Sequence, residues 1–286
     1  MRDMRSPSLR LRRLASELRR SREAAGYKVT QVAKELGWSA PKVSKMETTE
    51  TKRINPNDLD RLLDLYEVKD PPTREAMQAL ARDARERGWW ARYKEIFGDR
   101  ALPDFEAEAK AVKTFEALAI PGLLQTPEYA EAVFRGGRFV SQEQIDRRVA
   151  FRMARREILS KFDPTHLRVV LDEAALRRLV GGREVMLTQV KHLFHMAQMP
   201  NIDLQVIPLA QGAHAALTAP FSILEFPDPL DTPIVFVETA TNGLFLEEAD
   251  DVARYNVIFS DIQGAAMSAT QSADFIAGVI KELEKR

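Results

Sequence analysis

Cysteine is absent from the 286 residues. Its absence excludes disulfides, a thiol nucleophile and any zinc site built on thiolates, and it suits a reducing compartment. No apolar run approaches the ~18 residues of a membrane-spanning helix. The opening stretch RDMRSPSLRLRRL also lacks an apolar signal core. A soluble cytoplasmic protein, away from membranes, is therefore expected. Glycine-rich phosphate loops are missing too, because Gly136-Gly137 and Gly181-Gly182 stand alone as turn signals, and no serine lies in a G-x-S-x-G setting. Histidine is scarce, with four residues. His192 and His195 share a helix face at i,i+3, and His214 with Glu238 or Asp172 would complete a metal set only if folding gathered them. The spacing matches no metal motif, and Asp172-Glu173 reads more simply as the cap of a helix. No catalytic residue, metal or cofactor is assigned.

What is present points to two domains. Hydrophobic residues make up 45% of the chain, enough for one large core or two ordinary ones. The 42 basic and 42 acidic residues cancel, but unevenly along the chain. Residues 1–88 carry 20 Lys and Arg against 14 Asp and Glu, whereas 89–286 carry 22 against 28. A basic front segment joined to an acidic rear segment is the pattern of a polyanion-binding domain attached to one that does not bind polyanions. The expected organisation is an all-α DNA-binding module over 1–88 and a larger α+β domain over 89–286.

Leu11, Leu14, Ala15, Leu18 and Ala25 recur at helical spacing and predict a first helix from about Leu9 to Ala25. Its other faces carry Arg10, Arg12, Arg13, Arg19, Arg20 and Arg22, read as a solvated surface. Thr30 is placed to cap a second helix with a buried stripe of Val32, Ala33 and Leu36, which Gly37 stops. Ser39 caps a third helix, with Pro41 in its first turn and Val43 and Met46 facing inward. Two helices three or four residues apart must cross steeply, so the stretch reads as a helix-turn-helix. The outward residues Ser39, Ala40, Pro41, Lys42, Ser44 and Lys45 would then enter a major groove, Lys42 at a base edge or a nearby phosphate and Lys45 at the backbone. Gln31 anchors to phosphate or braces the reading helix, and Lys52 is expected beside phosphate in the following loop. Asn55-Pro56-Asn57-Asp58 starts a fourth helix carrying Leu59, Leu62, Leu63 and Tyr66, with Asp58 reaching back. A fifth begins near Pro72 with Ala76, Leu80 and Ala84 inward.

The run VTQVAKELGWSAPKVSKMETTETK, followed by DLDRLLDLY, resembles the XRE or Cro/cI-like helix-turn-helix class. The resemblance implies that Gln31 is the polar anchor of the second helix, Ala33 its small packing residue and Val43 the apolar anchor of the reading helix. It makes Ser39 the cap and Lys42 and Ser44 readers. It also implies that Glu47 closes the reading helix and braces the loop through an arginine or backbone N–H groups. The family commonly has Glu-x-Gly at this point, whereas this chain reads Glu47-Thr48-Thr49-Glu50-Thr51-Lys52.

In the rear half, Trp89 and Trp90 mark the junction, as a ligand wall or, more simply, a packing anchor. Phe105, Ala109, Val112 and Phe115 form an apolar thread. Pro121-Gly122-Leu123-Leu124 is a turn before a helix starting at Thr126-Pro127, and Ser141-Gln142-Glu143-Gln144 is a capping box for a longer helix. Leu167 to Leu171, IDLQVIPL from Ile202, FSILEFP and PIVFVET read as strands. A helix with Leu176 and Leu179 and another over MLTQVKHLFHMAQ lie among them, and Val252 to Leu283 returns to helix. Arg152, Arg155 and Arg156 share a face able to meet a carboxylate, a phosphate or an acidic partner, or to pair at the surface. Gln125, Gln205, His214 and Glu238 sit beside apolar segments as candidate polar groups of a pocket.

The phrases PGLLQTPEY from Pro121, LDEAAL from Leu171, MLTQV from Met186 and NIDLQVIP from Asn201 are similar to the rear domain of actinobacterial XRE-type regulators catalogued as DUF5753. That resemblance implies a DNA-binding transcriptional regulator of double-stranded DNA, often encoded beside a small partner protein. A homodimer is expected because one reading helix meets only a few base pairs. Control would come through the rear domain, by a small-molecule effector or by the neighbouring gene's product. The alternative is an antitoxin-like protein-interaction module in which DNA binding is secondary.

Overall fold

The computed structural model describes residues 7–48, 50–51, 54–83, 93, 102–137, 141–228, 231–238 and 243–285. The chain divides into two compact units, Met1–Arg92 and Tyr93–Arg286. The first is all helical and the second mixed α+β, as the hydrophobic periodicities predict.

The front unit contains α1 (Pro7–Ala24), α2 (Val29–Leu36), α3 (Ala40–Glu47), α4 (Pro56–Leu65) and α5 (Pro71–Asp83). Leu14 and Leu18 of α1, Val32 and Ala33 of α2, Val43 and Met46 of α3, Leu59, Leu62 and Leu63 of α4 and Met77 of α5 form one core. Each fully buried leucine contributes about 1.5–3 kcal/mol of transfer free energy, so these short helices are held by packing more than by propensity. Gly37 ends α2 at φ 68°, a left-handed conformation in which its N–H and that of Trp38 reach back to the last carbonyls of the helix.

Several local expectations are corrected. The cap position of α2 is Lys28 and not Thr30, because the Gln31 side chain reaches back and its Oε1 accepts from the Lys28 N–H at 2.8 Å. Asn55 caps α4 by accepting from the Asn57 N–H, but Asp58 turns to Lys42 and does not reach back. On α5 the inward face is set by Met77 and Ala81, with Leu80 partly buried against the same core as expected; Ala76 is exposed, and Ala84 lies outside the described residues. Arg10 and Arg22 on α1, read as solvated, are 3% and 8% exposed.

The rear unit is built on one six-stranded sheet of order β3-β2-β1-β4-β5-β6. Its strands are β1 (Ala111–Glu116), β2 (His166–Asp172), β3 (Ile202–Ile207), β4 (Phe221–Glu225), β5 (Ile234–Glu238) and β6 (Gly243–Leu246). β1, β2 and β3 are parallel, whereas β4, β5 and β6 run antiparallel to their neighbours. The central strand β1 and the edge strand β6 were not legible as strands in the sequence.

Among the described residues the remaining helices are α6 (Leu102–Glu108), α7 (Pro127–Arg135), α8 (Gln142–Arg155), α9 (Glu173–Arg177), α10 (Arg183–Met196), α11 (Ala249–Ala265) and α12 (Ala269–Lys285). Leu179 lies beyond the short α9 and is exposed. The C-terminal helical stretch is two helices, broken at Ala266 to Ser268. One sheet face, bearing Phe115, Val170, Ile207, Ile223 and Val235, packs on Val252, Phe259 and Ile262 of α11. Alternation along the strands turns Val112, Thr114 and Glu116 of β1, Leu167 of β2, Ser222 of β4 and Phe236 and Glu238 of β5 to the other face. No helix among the described residues is long and apolar enough to cross a membrane.

Candidate DNA-reading helix and rear-domain cavity

The geometry of α3 follows from two anchors. Val43 and Met46 fix its inner face in the core, and Glu47 at its end is tied to α1. Arg22 Nε donates to both carboxylate oxygens of Glu47, at 2.9 and 3.0 Å, and Arg22 Nη1 donates to the Tyr27 carbonyl at 2.8 Å. The Tyr66 hydroxyl approaches Glu47 at 3.4 Å, and burial pushes its ionisation well above the ordinary tyrosine value. The Glu47 carboxylate correspondingly raises the Arg22 guanidinium above its ordinary value. A charge pair in this position locks the helix end against α1.

With the inner face fixed, Ser39, Pro41, Ser44 and Lys45 are exposed and Ala40 is half-buried. Ser39 stands at the cap position but its side chain makes no cap hydrogen bond. Lys42 is placed differently from a free reader: its Nζ pairs with Asp58 Oδ2 at 2.8 Å and lies 3.9 Å from the centre of the Trp38 ring. Arg61 also lies over Trp38, at 5.1 Å, and donates to the Leu36 carbonyl. Gln31 is exposed while bracing the start of α2. Lys52 lies outside the described residues, as do Trp89 and Trp90.

In the rear unit, the sheet face away from α11 forms the floor of a cavity of about 370 Å³. Gln125, Arg152, Arg155 and Glu238, singled out from the sequence, all line it. The PGLLQTP phrase builds one wall. Thr126 caps α7 by accepting from the Tyr129 N–H, while Gln189 of α10 accepts from the Thr126 N–H at 2.7 Å and donates to the Leu124 carbonyl at 2.8 Å. Gln125 is buried, donates to the Ile120 carbonyl at 2.7 Å and accepts from Arg152 Nη1 at 2.6 Å. Arg152 also lies 4.5 Å from the Phe134 ring centre. Burial brings its guanidinium down to about 10, with the neighbouring Arg155 charge acting in the same direction.

Arg155 is neutralised by Glu106 of α6 in a bidentate pair at 2.6 and 2.8 Å. Arg156 stands apart from the cavity, donating to the Gln125 carbonyl at 3.2 Å and facing His192 Nε2 at 3.0 Å. Burial, with the Arg156 charge second, lowers the His192 imidazole. Gln205 and His214 are on the opposite side of the sheet. Gln205 bonds to the Met267 carbonyl and to Gln263 of α11. His214 packs edge-on to Phe115, with Asp172 Oδ2 at 3.6 Å from its Nε2. No group of three His, Asp or Glu able to hold a metal occurs among the described residues.

The cavity has further polar members that the sequence reading missed: Glu116, Thr114 and Ser222. Burial, with the Glu238 charge second, pushes the Glu116 carboxyl up to about 7. Thr114 and Glu116 share one face of AVKTFE with Val112, and Ser222 pairs with Thr114 from the neighbouring strand, a placement readable only once the apolar thread is taken as a strand.

A family model described as "Domain of unknown function (DUF5753)" matches residues 99–278, and one described as "Helix-turn-helix domain" matches residues 13–77. No curated protein and no solved structure matches the chain. The domain composition is that of a DNA-binding helix-turn-helix regulator with an accessory C-terminal domain. With more than half its length matched by that model, the chain belongs to the DUF5753 family, its family domain preceded by a helix-turn-helix domain.

Proposed function

We propose that this protein is a sequence-specific transcriptional regulator that binds double-stranded DNA as a homodimer through α3 and is controlled by a small molecule held in the rear unit. The observation carrying the DNA reading is the contrast between the two faces of α3. Val43, Met46 and Glu47 are fixed inward, and Pro41, Ser44 and Lys45 stand exposed on the first two turns. A rigid helix with small residues at its leading end fits a major groove, and Lys45 supplies a phosphate contact. A homodimer follows from the few base pairs that one such helix spans. The polar cavity favours a small effector over a partner protein as the controlling input.

Lys42 acts mainly in shaping the surface, since Asp58 and Trp38 hold its ammonium group. Phosphate would have to compete with a carboxylate for it.

The test is selection from random duplex DNA by the full chain at near-physiological salt, with Ser44→Ala and Lys45→Ala variants in parallel. The expected outcome is a two-fold symmetric motif whose preference Ser44→Ala relaxes. Lys45→Ala should weaken binding to all sequences and lower the salt slope by about 1. Failure of the wild-type chain to enrich any motif would overturn the promoter-binding reading.

A further inference from the structure

The chemistry of the rear cavity is polarised. On its floor, Ser222 Oγ donates to Thr114 Oγ1 at 2.9 Å, and Thr114 Oγ1 donates to the Phe221 carbonyl at 3.3 Å. This chain of hydroxyls consumes both protons and leaves the Ser222 oxygen as an acceptor. Glu116 and Glu238 stand on the same face of the sheet and line the same space, so the floor presents acceptors. Across from it, α8 presents donors. Arg155 is satisfied by Glu106, but Arg152 bonds only its Nη1, to Gln125, among the contacts resolved, which leaves guanidinium N–H groups for a ligand.

These charges narrow the occupant. With Arg155 and Glu106 cancelling, Glu238 and a partly ionised Glu116 face one guanidinium, so a bare anion meets repulsion from the floor. A bare metal cation meets Arg152. A molecule carrying an ammonium group at one end and a carboxylate at the other satisfies both sides. Val112, Leu123, Leu167 and Phe236 add apolar lining, and about 370 Å³ is at the small end of ligand sites.

We propose that this cavity binds a small zwitterionic amine of the amino-acid class, its ammonium group against Glu116, Glu238 and the Ser222 oxygen and its carboxylate against Arg152. The assignment rests on the reading of the rear unit as the controlled part of a regulator. It also carries a proton signature. Because Glu116 sits at about 7, it is about half protonated at pH 7, and seating an ammonium group beside it releases roughly half a proton per site.

The experiment is titration calorimetry of the full chain at pH 7 against the twenty proteinogenic L-amino acids, β-alanine and γ-aminobutyrate. The N-acetyl and methyl-ester forms of the tightest binder follow, in two buffers of different ionisation enthalpy. The expected result is at least one binder whose two blocked forms each lose tenfold or more in affinity, with proton release on binding. Glu116→Gln should cost at least tenfold and abolish the proton release, and Arg152→Met should lose the distinction between acid and ester. Glu128→Gln, on the exposed face of α7, should bind as the wild type. If Arg152→Met does not fold, Ser222→Ala and Glu116→Gln decide the matter. No binding by any of these compounds, or equal binding of an N-acetylated form, would overturn the proposal. The selected DNA motif is then titrated with and without the binder. Ligand binding that leaves DNA affinity unchanged keeps the site assignment and removes the control reading. Intact DNA selection with no ligand binding removes the site assignment alone.

Discussion

Replacing Glu47 with alanine breaks a buried charge pair that joins α3 to α1. The substitution removes the acceptor of two charge-assisted hydrogen bonds and leaves Arg22, whose side chain is 10% exposed, with the Tyr27 carbonyl and a longer contact to Glu23. Breaking a buried pair by removing one partner costs about 3–5 kcal/mol. The surviving carbonyl bond puts this case at the lower end, about 3 kcal/mol. For a domain of this size each kcal/mol moves the melting temperature by about 4–8 °C, so the front-unit transition in scanning calorimetry should fall by roughly 12–24 °C. The double variant Arg22→Met, Glu47→Leu should recover at least half of that loss, because it leaves no unpaired buried charge. DNA affinity of Glu47→Ala should fall at temperatures where the unit is still folded, with the salt slope unchanged, since Glu47 positions α3 and touches no phosphate. A drop below about 4 °C, or a double variant no more stable than the single one, would refute the assignment of Glu47 as the anchor of the reading helix.

Further outcomes follow from the same geometry. Glu116 has a folded-state value raised from the ordinary 4.5 to about 7. The stability associated with its protonated form is therefore present in full below about 4.5 and is lost as pH rises through about 7, a change of about 3 kcal/mol. Glu116→Gln should flatten this slope and stabilise the rear unit at pH 8, measured by melting temperature against pH; an unchanged slope would count against a desolvated carboxyl there. Gly37→Ala forces a side chain into the left-handed region at φ 68° with nothing within 4 Å to clash, so its cost should be the backbone term alone, about 1–2 kcal/mol by denaturant unfolding. Gly243→Ala is different in kind, because a Cβ there would lie 2.1 Å from Phe236 Cε2. It should displace the Phe236 ring from the cavity lining and weaken ligand binding more than Gly243→Ala destabilises the fold; the comparison of calorimetric affinity with melting temperature checks this.

The front unit was more legible than the rear because its contacts are local. Gly37, Asn55-Pro56 and the Leu59, Leu62, Leu63 stripe each signal one element through short-range chemistry, and each stands where that chemistry requires. Arg22 and Glu47 are 25 positions apart, and only the resemblance hinted that Glu47 would find an arginine. Lys42 does lie at the surface, with its side chain 39% exposed, but its pairing with Asp58 joins two helices and has no local signal. In the rear unit Thr126, Ser141 and Asp172 act as helix caps, as their side chains and followers suggest. β1 was hidden because Val112 and Phe115 sit on opposite faces of a buried strand, so no single apolar period emerges. The cavity floor was hidden with it, while Arg152 and Gln125 stood out because their flanking turn and capping box were readable.

The place of β1 between a parallel and an antiparallel neighbour also sets an order of events during synthesis. β1 pairs with β2 on one side and β4 on the other, and Thr114 and Phe221 are joined across 107 positions of chain. The central strand therefore leaves the ribosome long before its second neighbour exists. At about 5–20 residues per second the interval is roughly 5–20 s, and non-local sheets close slowly even when complete. The five short helices of the front unit need nothing beyond residue 83 for the packing described. Every nascent chain thus passes through a period in which all the core residues of the helix-turn-helix unit have been made and the sheet of the rear unit cannot yet close.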